Sequence, residues 1–284
     1  MRQPGSTFKL FVYAAAFENN DSIDPNYKLK DVNVNIKVPD KKHPGEYTWW
    51  RPHNADGSYG GAYVPLDKAF AQSINTVAAK LSNTRYLIKR SMRDNPQLDA
   101  DGELSNCIQY LESGIEHVYE MNDKETIMGL EGSCAKAYFN IFDRLILHQK
   151  EDFKMNGRTK RPPLDPINAV LSFLYTIMTN SYTSALESVG LDSCYGFYHA
   201  LRSGRSSLAC DLVEESRCII ERLVLTLVNL KQININDFER QESGAVYLSK
   251  DGKRKVLTAW QEKKRSTIIH PYLNEKIPLG LLPF

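Results

Sequence analysis

No apolar run in this 284-residue chain approaches the roughly 20 residues that cross a bilayer. The most apolar opening stretch, Phe8 to Phe17, is interrupted by Lys9 and lacks a cleavage signature. Channel and exported classes are thereby set aside, and the expectation is a cytoplasmic chain without a membrane partner. Cysteine is scarce: five residues, Cys107, Cys134, Cys194, Cys210 and Cys218, with no CxxC pair. That argues against a disulfide framework or a zinc knuckle and for free thiols in a reducing compartment. Net charge is nearly absent too, at +2, so any attraction for nucleic acid must come from local patches. No internal repeat is visible. What remains, 42% hydrophobic and 25% charged residues, can bury a core and cover its surface, in one large domain or two smaller ones.

Along the chain the texture changes once. Residues 1–82 are rich in Pro, Gly, Asn and Trp, with helical patterns over Ser6–Phe17 and Leu66–Leu81 and a strand-like alternation over Val32–Val38. From Asn83 onward the pattern is helical. Ile108, Leu111, Ile115 and Val118 form one apolar stripe, and Ile127, Leu130, Cys134, Tyr138, Ile141, Phe142 and Leu145 a longer one. Asp165-Pro166 reads as an N-cap with proline at the first helical position, and Gly190 marks the stop. A long helix is expected from about Ser207, with Leu208, Leu212, Ile219, Leu223, Leu227 and Leu230 on one face. Val246-Tyr247-Leu248, Lys250-Asp251-Gly252 and Val256-Leu257 read as a small hairpin around a glycine turn. The fold class is therefore mainly α with a small C-terminal β-hairpin, preceded by a loop-rich α/β segment.

Two constellations carry chemistry. Ser6 and Lys9, three residues apart on a helix, share a face, so the amine can take the hydroxyl proton. Further on, Glu131 places a charge inside an apolar stripe, where a carboxylate is costly unless paired or metal-bound. Asp211, Glu214 and Glu215 gather on one helical turn, and His199 precedes Asp211 in a segment between elements. Carboxylates with one imidazole suit Mn²⁺, with Mg²⁺ acceptable. On spacing alone the plainer readings stay open: Glu131 paired with Arg144 or Arg217, a solvated acidic turn, a satisfied histidine. Basic and acidic residues balance over 83–284, but Arg158, Lys160 and Arg161 cluster before the helix at Asp165. Lys250, Lys253, Arg254, Lys255, Lys263, Lys264 and Arg265 crowd a second stretch.

The run Arg2-Gln3-Pro4-Gly5-Ser6-Thr7-Phe8-Lys9, with Gln72-Ser73-Ile74-Asn75-Thr76-Val77-Ala78, resembles the transpeptidase domain of penicillin-binding proteins over about residues 1–81. The resemblance implies Ser6 as nucleophile, Lys9 as base, and Ser73 and Asn75 as assistants. The family's Lys-Thr/Ser-Gly strand has no match, because Lys250-Asp251-Gly252 has the wrong middle residue, and the upstream scaffold is missing. The expectation is that residues 1–82 form no penicillin-binding site. A serine acyl-enzyme peptidoglycan transpeptidase fragment is the alternative.

Four ordered blocks carry a second resemblance: Gly129-Leu130-Glu131-Gly132; Arg161-Pro162-Pro163-Leu164-Asp165-Pro166-Ile167-Asn168-Ala169; Gly196-Phe197-Tyr198-His199; and Ser207 through Arg217. Together they resemble the CRISPR-associated integrase/endonuclease of spacer acquisition, over its α-helical catalytic domain, about residues 83–284. The resemblance implies that Glu131, His199 and Glu214 bind Mn²⁺ or Mg²⁺, with Asp211 as a supporting catalytic acid. It implies metal-assisted transesterification, a DNA 3′-hydroxyl attacking a repeat phosphodiester to join a captured spacer, or water attacking in a nuclease. Double-stranded DNA and a small partner protein of the adaptation complex are the expected partners. Arg158, Lys160, Arg161, Asn168, Lys253, Arg254 and Lys255 are the expected DNA-binding residues, Asn168 in a structural or substrate-orienting role. The family's β-rich domain, which makes much of its homodimer contact, is replaced here, weakening the expectation of dimerisation. The join near Lys80-Leu81-Ser82-Asn83 has no Gly/Ser linker, and an accidental fusion of fragments 1–82 and 83–284 is expected. A non-catalytic DNA-binding remnant is the third reading.

Overall fold

The computed structural model describes residues 28–30, 36–39, 47–50, 63–65, 74–121, 123–269 and 275–283, with side chains from Thr76 onward. The chain divides into two units, residues 1–72 and 73–284. In the first, β1 (Lys28–Lys30) pairs antiparallel with β4 (Tyr63–Pro65), and β2 (Ile36–Pro39) with β3 (Tyr47–Trp50). The strand expected over 32–38 is seen from Ile36; its first part, the helix over 6–17 and residues 66–73 lie outside the described residues.

The second unit is helical. It opens with α1 (Ile74–Asp94), which runs unbroken through residues 82–83, where the sequence placed a junction. Next come α2 (Glu103–Val118) and α3 (Lys124–Ile141). Leu104, Cys107, Ile108, Leu111 and Val118 form the buried stripe of α2, which packs on α1 and α3. The Asp123 side chain caps α3 by accepting the Thr126 N–H at 2.7 Å. The expected Asp165-Pro166 start is confirmed in α4 (Pro166–Ser188), where Asp165 accepts the Asn168 N–H at 2.8 Å. Phe142, Leu145, Ile146, Phe153, Ile167, Leu171 and Leu174 fill the core, each contributing about 1.5–3 kcal/mol by burial.

Two expectations need correction. The single long helix from Ser207 is in fact α5 (Ser207–Val213) and α6 (Arg217–Asn229), separated by a 3₁₀ turn at Glu214–Ser216. α1 packs against this turn, and Asn83 Nδ2 donates to the Glu215 carbonyl at 2.9 Å, so a tertiary hydrogen bond holds the break. The hairpin is also displaced. β6 (Val246–Leu248) pairs with the preceding β5 (Phe238–Arg240), in the register Phe238↔Leu248. The turn-like Lys250-Asp251-Gly252 is instead the first turn of α7 (Lys250–Arg265), capped by Ser249, whose hydroxyl accepts the Gly252 N–H at 3.1 Å. A Cβ at Gly252 would lie 2.2 Å from the Asp237 carbonyl oxygen, so this glycine makes room for a neighbouring backbone and not for a reverse turn.

A last strand pair, β7 (Thr267–Ile269) with β8 (Lys276–Pro278), follows α7. All five cysteines are free thiols. Among the described residues no helix is long and apolar enough to cross a membrane.

Candidate metal centre and basic groove

Glu131 extends from α3, and its two oxygens have different partners. Oε2 accepts the Tyr198 hydroxyl at 2.5 Å, and Oε1 is ion-paired with the Lys80 ammonium from α1. Glu214 opens the 3₁₀ turn and is only 3% exposed. Arg217 Nη2 holds its Oε1 at 3.0 Å, and Lys80 Nζ lies 2.6 Å from its Oε2. That ammonium therefore sits against both carboxylates, ion-paired with each. Neither Arg144 nor Arg217 pairs with Glu131: Arg144 binds Asp101 at 2.5 Å, and Arg217 binds Glu214.

Burial by itself would push the Lys80 amine down, but the flanking Glu214 and Glu131 carboxylates outweigh it and hold the pKa above the ordinary lysine value. Burial likewise opposes the Glu214 carboxylate, and Lys80 and Arg217 overcome it, so the pKa falls below the usual range. Burial and the adjoining Glu131 push the Tyr198 phenol up, which keeps it a proton donor to that carboxylate.

His199 sits on the loop between α4 and α5, its ring edge-on to Tyr198 at 5.5 Å between centroids. Its position is set by Asp211, which is fully buried on α5. Asp211 Oδ2 accepts the main-chain N–H groups of Phe197 at 2.7 Å and Tyr198 at 2.9 Å. Asp211 Oδ1 accepts the His199 N–H at 2.9 Å and meets His199 Nδ1 at 2.5 Å. With Nδ1 engaged by Asp211, Nε2 is the ring nitrogen left to face a ligand. The loop's close wrap needs Gly196: a Cβ there would stand 2.8 Å from Asp211 Oδ2 and 2.9 Å from the His199 carbonyl oxygen.

The structure thus brings Glu131, Glu214 and the His199–Asp211 pair into one neighbourhood. Among the described residues, no three His, Cys, Asp or Glu side chains close around one point as a metal cage does. The place between Glu131 and Glu214 is taken by the Lys80 ammonium, a cation standing where two carboxylate oxygens face each other. Carboxylate oxygens and an imidazole nitrogen match the preferences of Mn²⁺ and Mg²⁺. With two carboxylate oxygens already converging on one cation, the donor set fits a divalent ion.

The basic residues expected to face DNA separate by role. Lys160, Arg161 and Lys253, drawn from both sequence clusters, line one groove of about 540 Å³ with Ser172, Thr176 and Tyr247. Burial lowers the Lys160 pKa, and the neighbouring Arg217 and Arg158 lower it further. Arg158 is engaged internally, donating to Asn168 Oδ1 at 2.6 Å and Ser172 Oγ at 3.1 Å. Asn168 is fully buried; its amide donates to Asp165 Oδ2 at 2.6 Å and the Gly157 carbonyl at 2.9 Å, which is the structural of its two expected roles. Lys255 is held by Asp237 at 2.7 Å, and Arg254 lies exposed near Asp251 at 3.4 Å.

Ser6, Lys9, Ser73 and the side chain of Asn75 lie outside the described residues. Sequence reading missed Lys80, Asn83 and Tyr198, and the arginines it weighed as partners of Glu131 bind Asp101 and Glu214 instead. Only Tyr198 carried a signal, as the neighbour of His199 in its block.

Comparison with known proteins gives two family matches. The profile described as "CRISPR associated protein Cas1" matches residues 62–262. The profile of the penicillin binding protein transpeptidase domain matches residues 1–118. A CRISPR-associated endonuclease Cas1 from Chlorobaculum tepidum is 44% identical over 207 residues, 72% of this chain. The chain spans 60% of that relative's length. Among solved structures, a casposase bound to integration product aligns with TM-score 0.65 at 21% identity, covering 77% of this chain and 61% of its own. A Cas6-RT-Cas1–Cas2 complex aligns at TM-score 0.62 and 23% identity, covering 76% of this chain and 23% of the other. At these identities the two structures speak for the helical fold alone.

Proposed function

The chain belongs to the CRISPR-associated Cas1 family, and from that membership we propose that its helical unit is a divalent-metal-dependent DNA integrase and nuclease of spacer acquisition. The observation that carries the reading is that Glu131 and Glu214 converge on one cation, the Lys80 ammonium, with the Asp211-fixed His199 in the same neighbourhood. Glu131, Glu214 and His199 Nε2 would hold Mn²⁺ or Mg²⁺. When bound, such an ion polarises the scissile phosphodiester and stabilises the charge that develops on it.

The chain's own groups do the rest. Asp211 holds His199 through both Nδ1 and its main-chain N–H and locks the loop, so the imidazole need not reorganise. Tyr198 and Arg217 fix the outer oxygens of Glu131 and Glu214. Lys160, Arg161 and Lys253 neutralise backbone phosphates entering the groove and so supply affinity without reading sequence. The attacking oxygen is a DNA 3′-hydroxyl in joining or water in cleavage, and the protein lends no nucleophile. By analogy with the Cas6-RT-Cas1–Cas2 complex, a Cas2-type protein is the expected partner of a complete assembly.

The test is strand joining and cleavage on a branched DNA substrate with Mn²⁺. Wild type is expected to act only with the metal, and Glu131→Ala and His199→Ala to lose activity by about 100-fold or more, the scale of removing a group that acts in the transition state. Activity surviving both substitutions sinks the reading.

A further inference from the structure

We propose that Lys80 is a built-in counter-ion that holds the cation position between Glu131 and Glu214 and gives it up when a divalent metal is loaded. Metal uptake is then an exchange of one ammonium for one divalent ion. The inference rests on the metal-site reading above and adds a residue that the sequence blocks do not contain.

Three observations lead to it. First, the two carboxylates are asymmetrically held. Their outer oxygens are fixed by neutral or rigid donors, Tyr198 on Glu131 Oε2 and Arg217 on Glu214 Oε1, while both inner oxygens meet on Lys80. The three groups come from separate elements, α1, α3 and the 3₁₀ turn, so the convergence is tertiary. Second, Glu214 is 3% exposed and Glu131 15%, and removing the ammonium would leave two poorly solvated carboxylates facing each other. Some cation must stand there in the metal-free chain. Third, the ammonium is shared: a single positive charge serves Glu131 Oε1 and, 2.6 Å away, Glu214 Oε2, so one charge stands between two carboxylates. A metal ion needs no N–H direction and brings twice the charge. Lysine suits the exchange, because its four-carbon stem lets the head group swing out, which the planar fork of arginine in the same place would resist.

The device keeps the empty site assembled and lowers its affinity for metal. Calorimetric titration of Mn²⁺ into wild type, Lys80→Gln, Lys80→Arg and Glu131→Ala, with thermal melts with and without Mn²⁺, tests it. Lys80→Gln is expected to bind Mn²⁺ about tenfold more tightly than wild type, equivalent to about 1.4 kcal/mol. Its melting temperature should fall below wild type without metal and recover when Mn²⁺ saturates. Lys80→Arg is expected to bind several-fold more weakly, and it decides the matter if the glutamine variant does not fold. Equal or weaker binding by a folded Lys80→Gln, or unchanged binding by Lys80→Arg, overturns the exchange while leaving the metal site standing. Absence of Mn²⁺ uptake by wild type removes the metal site itself, and the exchange with it.

Discussion

Asp211 shows how much one carboxylate can organise. It accepts three consecutive main-chain N–H groups and the His199 ring from a position without solvent access. Asp211→Asn replaces an acceptor oxygen with a donor that faces other donors, so a loss of about 2–3 kcal/mol is expected. Urea unfolding measures it, and a change below 0.5 kcal/mol would mean that the loop is held some other way. Glu221 gives a pH test away from the site. Tyr175 donates to its Oε1 at 2.8 Å and Tyr138 to its Oε2 at 3.1 Å, but burial outweighs these bonds and raises the carboxyl above its ordinary 4.5. The folded state therefore keeps a proton that the unfolded chain releases, and this stability is lost as pH rises from about 4.5 through the raised value. Glu221→Gln, which cannot titrate, is expected to gain on wild type across that window, by up to about 1.4 kcal/mol per pH unit. Denaturation at pH 4.5, 6 and 7.5 checks it, and parallel curves would contradict it. Glu131 was legible because a charge interrupts an apolar stripe. Lys80 was not, because a lysine on a helix full of basic residues has no local mark.

At the scale of elements, local signals were readable and tertiary ones were not. The α2 stripe and the Asp165-Pro166 cap declare themselves within one or two turns of chain, and both appear, with Ile108, Leu111 and Val118 buried as expected and Ile115 only half-buried. The break at Glu214–Ser216 depends on Asn83, 132 residues before Glu215, so apolar spacing extends one helix straight across it. Lys250-Asp251-Gly252 has turn composition, yet the capping Ser249 and the close Asp237 carbonyl make it a helix start. Gly196→Ala is the prediction at this scale. The added methyl meets the Asp211 carboxylate, the Ser207 Cβ and the His199 carbonyl within 3 Å, with backbone among them, so the loop must move. Loss of Mn²⁺-dependent joining is expected with the helical content by circular dichroism intact; wild-type activity would show that the loop tolerates the shift.

For the whole molecule, the helical fold and the family were both readable because four short blocks keep their order along the chain. DNA affinity is the property argued at this scale, since net charge near zero leaves it to the groove of Lys160, Arg161 and Lys253. Each phosphate neutralised contributes about 0.9 to the slope of log affinity against log salt. Removing Arg161 and Lys253 together is expected to flatten that slope by roughly 1–2 across unrelated DNA sequences, measured by fluorescence anisotropy. An unchanged slope would place the phosphate path elsewhere. The decisive experiment on the site is Mn²⁺ calorimetry on the intact chain. Binding of a single ion by wild type, abolished in Glu131→Ala and in His199→Ala, is the predicted result; no uptake, or uptake indifferent to both substitutions, would contradict a divalent ion held by Glu131, His199 and Glu214.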